Sequence, residues 1–182
     1  MACDKMAGFP HGRIRRAFAL GDADATALGK GYALESIVRD FFCAVPGVEI
    51  LEQNAMDADG SIEVDVLVYI ASGSPIQFLS EFVVIEAKNW AVPVGSQVVS
   101  GFVNKIQSMG LTTGILVATS GVTGNAESRS RARAVIARAY DQHKIRLVVL
   151  DRADIEAVRS SQDITQMMRR AWGRLIMRNP LS

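Results

Sequence analysis

Apolar residues recur along the chain with the spacing of either a helix or a strand. The segment 28–43 carries an apolar stripe at helical spacing, and Pro46 follows it as a stop signal. Three runs rich in β-branched residues come next, at about 48–53, 62–70 and 79–88. The pattern therefore predicts one helix followed by three strands.

The second half of the chain alternates between the two periods. The predicted helices lie at about 95–109, 125–142, 153–160 and 162–178, and the predicted strands at about 113–119 and 145–150. Three strands followed by alternation indicate an α/β fold, in which a mixed central sheet is flanked by helices on both faces. Residues 1–27 look like a weakly structured N-terminal segment, 28–160 like one domain, and 161–182 like a C-terminal helical tail.

Composition narrows the class of protein. The chain has 182 residues, of which 49% are hydrophobic and 21% charged, as in ordinary globular domains. The net charge of +1 gives no sign of a nucleic-acid partner. Two distant cysteines, Cys3 and Cys43, and two histidines argue against a structural zinc site. Unpaired thiols, with no signal sequence and no membrane-spanning run, predict a cytoplasmic protein without a membrane partner.

Charged residues interrupt two of the predicted strands. Glu86 and Lys88 continue an apolar face of the third strand, and Asp65 lies in the middle of the second. Burying such charges costs several kcal/mol unless they are paired or bind a metal. If the two strands pair, Asp65 and Glu86 converge on one point.

Each charge also has a simpler explanation. Glu86 and Lys88 can form a structural ion pair, Asp65 can end a strand ladder, and Glu35 can be a solvated residue at the edge of the first helix's apolar stripe. Their conjunction on adjacent elements favours chemistry. Clustered carboxylates suit a hard cation such as Mg²⁺, and a nearby lysine suits charge stabilisation on a phosphate.

These residues resemble the PD-(D/E)xK nuclease superfamily, and within it the Mrr-like restriction endonucleases. The resemblance covers about residues 29–151 and rests on GYALESIVRDFF, EVDVLVY, VVIEAKNW, VGSQVVSGFVNKI and GILVATSGVTGNA. It implies a restriction-endonuclease-like α-β-β-β-α-β core. One departure is Val64, which stands where the superfamily pattern has a proline-like residue before the first acid.

The resemblance also implies roles for individual residues. Asp65, Glu86 and the Ala87 carbonyl would bind Mg²⁺, for which Mn²⁺ can substitute. Glu35 would complete the site, and Lys88 would orient or deprotonate the attacking water. Gln97, on the following helix, would position the site or contact phosphate. The role of Glu63, an additional acid near Asp65, stays open.

A basic helix and a C-terminal apolar stripe suggest partners. Arg129, Arg131 and Arg133 are predicted to contact nucleic acid, although a solvated helix surface explains them as well. Trp90 is predicted to close the core rather than stack on a base. The stripe at 167–176 suggests a core face or a homodimer interface.

The expected function is a Mg²⁺-dependent endonuclease acting on DNA, in restriction, defence or DNA processing. DNA is favoured over RNA, and a partner protein is one possible source of specificity. The alternatives are a catalytically silent nuclease fold that serves binding or assembly, and a junction-resolving or RNA-cleaving enzyme with the same site.

Overall fold

A five-stranded mixed sheet forms the centre of the computed structural model, which describes residue 3 and residues 8–57, 60–124 and 131–177. The strands lie in chain order: β1 (Val48–Met56), β2 (Glu63–Ile70), β3 (Phe82–Lys88), β4 (Thr113–Ala118) and β5 (Arg146–Leu150). The first three pair antiparallel, whereas β3, β4 and β5 pair parallel. This arrangement confirms the predicted α/β class and mixed sheet.

Helices connect and cover the strands. They are α1 (His11–Ala23), α2 (Ala27–Cys43), α3 (Ser96–Ser108), α4 (Arg131–His143), α5 (Arg152–Ala157) and α6 (Ser161–Ile176). The start of α2 is fixed by Thr26, whose hydroxyl accepts a hydrogen bond from the Gly29 N–H at 3.0 Å. The parallel pairs of strands are joined through α3 and α4, as parallel strands require crossover connections.

The burial pattern explains why each strand takes its place in the sheet. Strand β2 alternates, with Val64, Val66 and Val68 buried and the intervening positions more accessible. Strand β4 is buried at every position, as expected for a central parallel strand. Its Gly114 lets α3 pack closely, because a Cβ there would lie 2.4 Å from Ile106 Cδ1.

The N-terminal helix α1 was not predicted. Ile14 and Phe18 are buried in the common core. Asp22 forms an ion pair at 2.8 Å with Arg152, which is far away in the sequence. The expectation of a weakly structured N-terminal segment is therefore wrong for His11–Ala23. The three-part division of the chain stays a prediction.

The two cysteines are joined, which corrects the expectation of unpaired thiols. Cys3 and Cys43 form a disulfide that ties the N-terminal segment to the end of α2. Within the described ranges, no helix combines the length and the apolar character that crossing a membrane demands. The cytoplasmic location stays a prediction, and the cysteines no longer support it.

Candidate active site

Pairing of β2 with β3 brings the two acids among the predicted metal ligands together. Val66 lies opposite Ile85 in the antiparallel register, so the next pair along places Asp65 beside Glu86. The Ala87 N–H donates a hydrogen bond to Asp65 Oδ2 at 2.8 Å and fixes the carboxylate across the strands. Both acids are largely withdrawn from solvent, with side chains 13% and 10% exposed respectively.

Two lysines hold the Glu86 carboxylate, one at each oxygen. Lys88 Nζ lies 2.6 Å from Oε1, and Lys105 Nζ lies 2.5 Å from Oε2. Lys88 Nζ is also 3.8 Å from Asp65 Oδ2, so it lies between the two acids. The result is a compact group of two carboxylates and two ammoniums at the end of β3.

The environment shifts the proton affinities of this group. Burial raises the pKa of the Asp65 carboxyl above its usual value, and the Glu86 charge raises it further, although the Ala87 N–H and both lysines act in the opposite direction. Burial favours a lower pKa for Lys88, but the hydrogen bond and charge of Glu86, together with the charges of Asp65 and Glu63, outweigh burial and raise the Lys88 pKa overall. Lys88 is therefore an ammonium in this arrangement, suited to stabilising negative charge.

These side chains line an open cleft of about 570 Å³. Its polar side chains include Lys30, Glu35, Glu63, Asp65, Glu86, Lys88, Asn89 and Lys105. Glu35 reaches the cleft from α2, as predicted, and its Oε2 accepts a hydrogen bond from Asn54 Nδ2 at 2.6 Å. Asn54 lies in β1 with a φ of 52°, a left-handed conformation that asparagine tolerates better than most residues.

Helix α3 contributes Lys105 to the cleft, which was not predicted, and a role for Gln97 stays a prediction. Gln97 is exposed near the start of α3 and does not line the cleft, whereas Lys105, further along the same helix, enters it. Sequence reasoning missed Lys105, although a signal was present. Val98, Phe102 and Lys105 follow the i, i+4, i+7 spacing, so the lysine continues a partly buried apolar line.

The predicted nucleic-acid contacts are spread over different environments. Arg129 lies outside the described residues. Arg131 is exposed at the first position of α4, whereas Arg133 is half-buried in a separate cavity of about 140 Å³ between α4, β5 and α6. A nucleic-acid role for these arginines stays a prediction.

Trp90 corrects a further expectation, because it does not close the core. Its residue surface is 43% exposed, and it borders the cleft immediately after β3. Its backbone carbonyl accepts a hydrogen bond from Ser120 Oγ at 2.5 Å, which anchors the loop. The indole is thus held at the rim of the site.

A family model for the Mrr catalytic domain, described as restriction endonuclease, matches residues 29–155, more than half of the chain. The chain belongs to this restriction endonuclease family. No curated protein and no solved structure matches it. The family segment includes Glu35, Asp65, Glu86, Lys88 and Lys105, so membership supports a nuclease function in general and a nucleic-acid substrate.

The donor atoms of the cleft in this member of the restriction endonuclease family suit a hard cation. Asp65 and Glu86 offer carboxylate oxygens. Burial, followed by the charge of Glu86, raises the pKa of Asp65, and a cation beside it would favour the ionised carboxylate. In the part of the chain that the structure describes, no three acidic, histidine or cysteine side chains form a ready-made metal group. A cation would therefore rely on these two acids, a backbone carbonyl and water.

Proposed function

We propose that this chain is a Mg²⁺-dependent endonuclease that hydrolyses phosphodiester bonds in DNA. Membership of the restriction endonuclease family supports the reaction class. The observation that carries the proposal is the placement of Asp65, Glu86 and Lys88 in one cleft, with Lys88 Nζ in contact with Glu86 and 3.8 Å from Asp65. Two carboxylates and one ammonium supply cation ligands and a phosphate-stabilising charge together.

Each residue of the cleft has its own role in the proposed reaction. Asp65, Glu86 and the Ala87 carbonyl would hold Mg²⁺. When bound, the ion would polarise the phosphate and make a water molecule more acidic. The Ala87 N–H keeps Asp65 in place, since its hydrogen bond joins the acid to the neighbouring strand. Glu35, which accepts a hydrogen bond from Asn54, would align water at the α2 side of the cleft.

Lys88 stabilises negative charge in the proposed reaction. Its raised pKa keeps it charged near neutral pH, so it stabilises the negative charge that grows on the attacked phosphate. Deprotonating water would require Lys88 first to give up a proton, because an ammonium cannot accept one. The proposal therefore assigns Lys88 to charge stabilisation and water orientation rather than to general base catalysis.

DNA as substrate, a role in restriction, defence or DNA processing, and a partner that supplies specificity belong to the same proposal. A homodimer belongs to the proposal too, because a small enzyme that cuts both strands commonly works as a symmetric dimer. The C-terminal stripe is not its interface at Met168 and Leu175, because both are buried within the chain's own core.

The test is cleavage of supercoiled plasmid, linear duplex, single-stranded DNA and RNA with Mg²⁺, Mn²⁺ or a chelator. We expect metal-dependent cleavage of DNA that Asp65→Ala and Glu86→Ala abolish. Glu49→Ala is the control, because Glu49 is an exposed acid on β1 outside the cleft. Nucleic-acid binding without cleavage in either metal would refute the proposal and favour a silent binding module. Cleavage of RNA alone would refute the DNA assignment.

A further inference from the structure

Lys105 is a lysine of the cleft that lies outside the acid–lysine motif. It extends from α3 with a side chain only 17% exposed, and its Nζ lies 2.5 Å from Glu86 Oε2. The Phe102 ring, one turn earlier on α3, lies beneath the same ammonium at 5.9 Å. A lysine withdrawn this far from water needs a compensating partner, and Glu86 provides it.

The position of Lys105 matters because of the atom that it contacts. Lys88 contacts Oε1 of Glu86 and Lys105 contacts Oε2, so each oxygen that could bind a divalent cation already has an ammonium beside it. Two cations cannot share one oxygen at bonding distance without strong mutual repulsion. Metal binding through Oε2 therefore requires the ammonium to move away.

We propose that the Lys105 ammonium holds Glu86 in the metal-free protein and occupies the position of the metal on Oε2. A divalent cation must therefore displace this ammonium in order to bind there. The inference rests on the proposed function, since it assumes that Glu86 is a metal ligand. Lys105 thus acts as a positioning residue that weakens the intrinsic metal affinity of the site. Its flexible four-carbon side chain lets the ammonium retreat without moving α3.

Calorimetric titration of Mn²⁺ into the metal-free full chain, without nucleic acid, tests this inference. We expect Lys105→Met to bind Mn²⁺ at least about tenfold more tightly than wild type, because a charge close to the ligand oxygen is removed. Lys144→Met is the matched control. Lys144 is also a lysine near an aromatic ring, 5.7 Å from the Tyr140 centroid, but it is exposed and outside the cleft.

Two further variants keep the test decisive. Lys105→Gln removes the charge but retains a hydrogen-bond donor toward Glu86, so it replaces Lys105→Met if that variant does not fold, and the same tightening is expected. In Lys105→Met combined with Glu86→Gln, the gain in affinity should vanish, because the competition is for Glu86.

Unchanged or weaker Mn²⁺ binding in folded Lys105→Met or Lys105→Gln would overturn the inference. Tightening of the same size in Lys144→Met would overturn it too, since the effect would then be one of net charge. The calorimetry does not depend on turnover. Tighter binding in a protein that cleaves nothing would refute the proposed function alone, and cleavage with unchanged affinity would refute only the role of Lys105.

Discussion

Replacing Lys88 with alanine probes the chemistry of the cleft most directly. The change removes an ammonium 2.6 Å from Glu86 Oε1 and 3.8 Å from Asp65 Oδ2. The strand remains in place, because Lys88 pairs with Ala118 of β4 through the backbone ladder. Glu86 also keeps its second ion pair with Lys105. The perturbation is therefore local to the charge.

The structure sets the size of the expected loss of stability and of the expected loss of cleavage rate. Removing one partner of a fully buried ion pair costs about 3–5 kcal/mol. Here Lys105 still compensates Glu86, and the Lys88 side chain is 23% exposed, so we expect a loss of about 1–2 kcal/mol in the free energy of unfolding. Loss of a group that stabilises transition-state charge lowers the rate by about 10²–10³, which corresponds to about 2.7–4 kcal/mol in the barrier.

The assay is single-turnover cleavage at saturating Mg²⁺, with the melting temperature and DNA affinity measured on the same preparation. A stability loss of about 1–2 kcal/mol leaves a domain of ordinary stability folded at 25 °C, so it cannot account for a hundredfold slower reaction. Lys88→Arg keeps the positive charge. It should recover most of the stability but less of the rate, because the guanidinium has a different shape and hydrogen-bonding pattern.

Two results would refute this reasoning. Folded Lys88→Ala that cleaves within about threefold of the wild-type rate would show that the ammonium does not stabilise the transition state. A rate loss fully explained by weaker metal binding would show instead that Lys88 acts only by positioning the acids.

Three further predictions concern stability. Asp65→Asn should raise the melting temperature of the metal-free protein at pH 7. The raised pKa of Asp65 means that its ionised carboxylate destabilises the folded wild-type protein above that pKa. Calorimetry should therefore show that the gain in melting temperature shrinks as pH falls toward 4. In chemical denaturation, Trp90→Ala should cost less than about 0.5 kcal/mol and Trp172→Ala about 2 kcal/mol, because Trp172 packs 6.0 Å from the Phe78 ring. Cys43→Ser should lower stability by about 2–4 kcal/mol in non-reducing buffer alone, because the lost disulfide closes a 40-residue separation.

Each of these has a clear contrary outcome. A gain from Asp65→Asn that persists unchanged at pH 4 would mean that ionisation of Asp65 carries no penalty. A larger loss at Trp90 than at Trp172 would contradict the exposure of Trp90. A Cys43→Ser deficit of equal size with and without reductant would show that packing, and not the disulfide, stabilises this region.

The features predicted correctly from sequence are those with strong local signals. Strands β2 and β3 stand out because β-branched residues alternate or cluster, and Asp65, Glu86 and Lys88 stand out because charges interrupt them. Glu35 lies on a clear helical stripe and reaches the cleft as expected.

The features missed depend on tertiary contacts. Helix α1 has only three large apolar residues, Ile14, Phe18 and Leu20, and packing against the rest of the chain buries the first two. The motif resemblance pointed to Gln97, although helix geometry carries Lys105, two turns later, into the cleft. The Cys3–Cys43 bond joins residues whose proximity follows only from the fold.

Helices α1 and α6 determine how small a fragment of this protein can be fused to other proteins. The family segment ends at residue 155, and it begins after α1. A fragment trimmed to 29–155 would lose the buried Phe18 and Met168 and leave Arg152 without Asp22. The apolar surface so uncovered would favour aggregation. Chimeras that keep residues 3–177, and with them both helices and the Cys3–Cys43 disulfide, should therefore stay soluble, whereas those cut at the family boundary should precipitate.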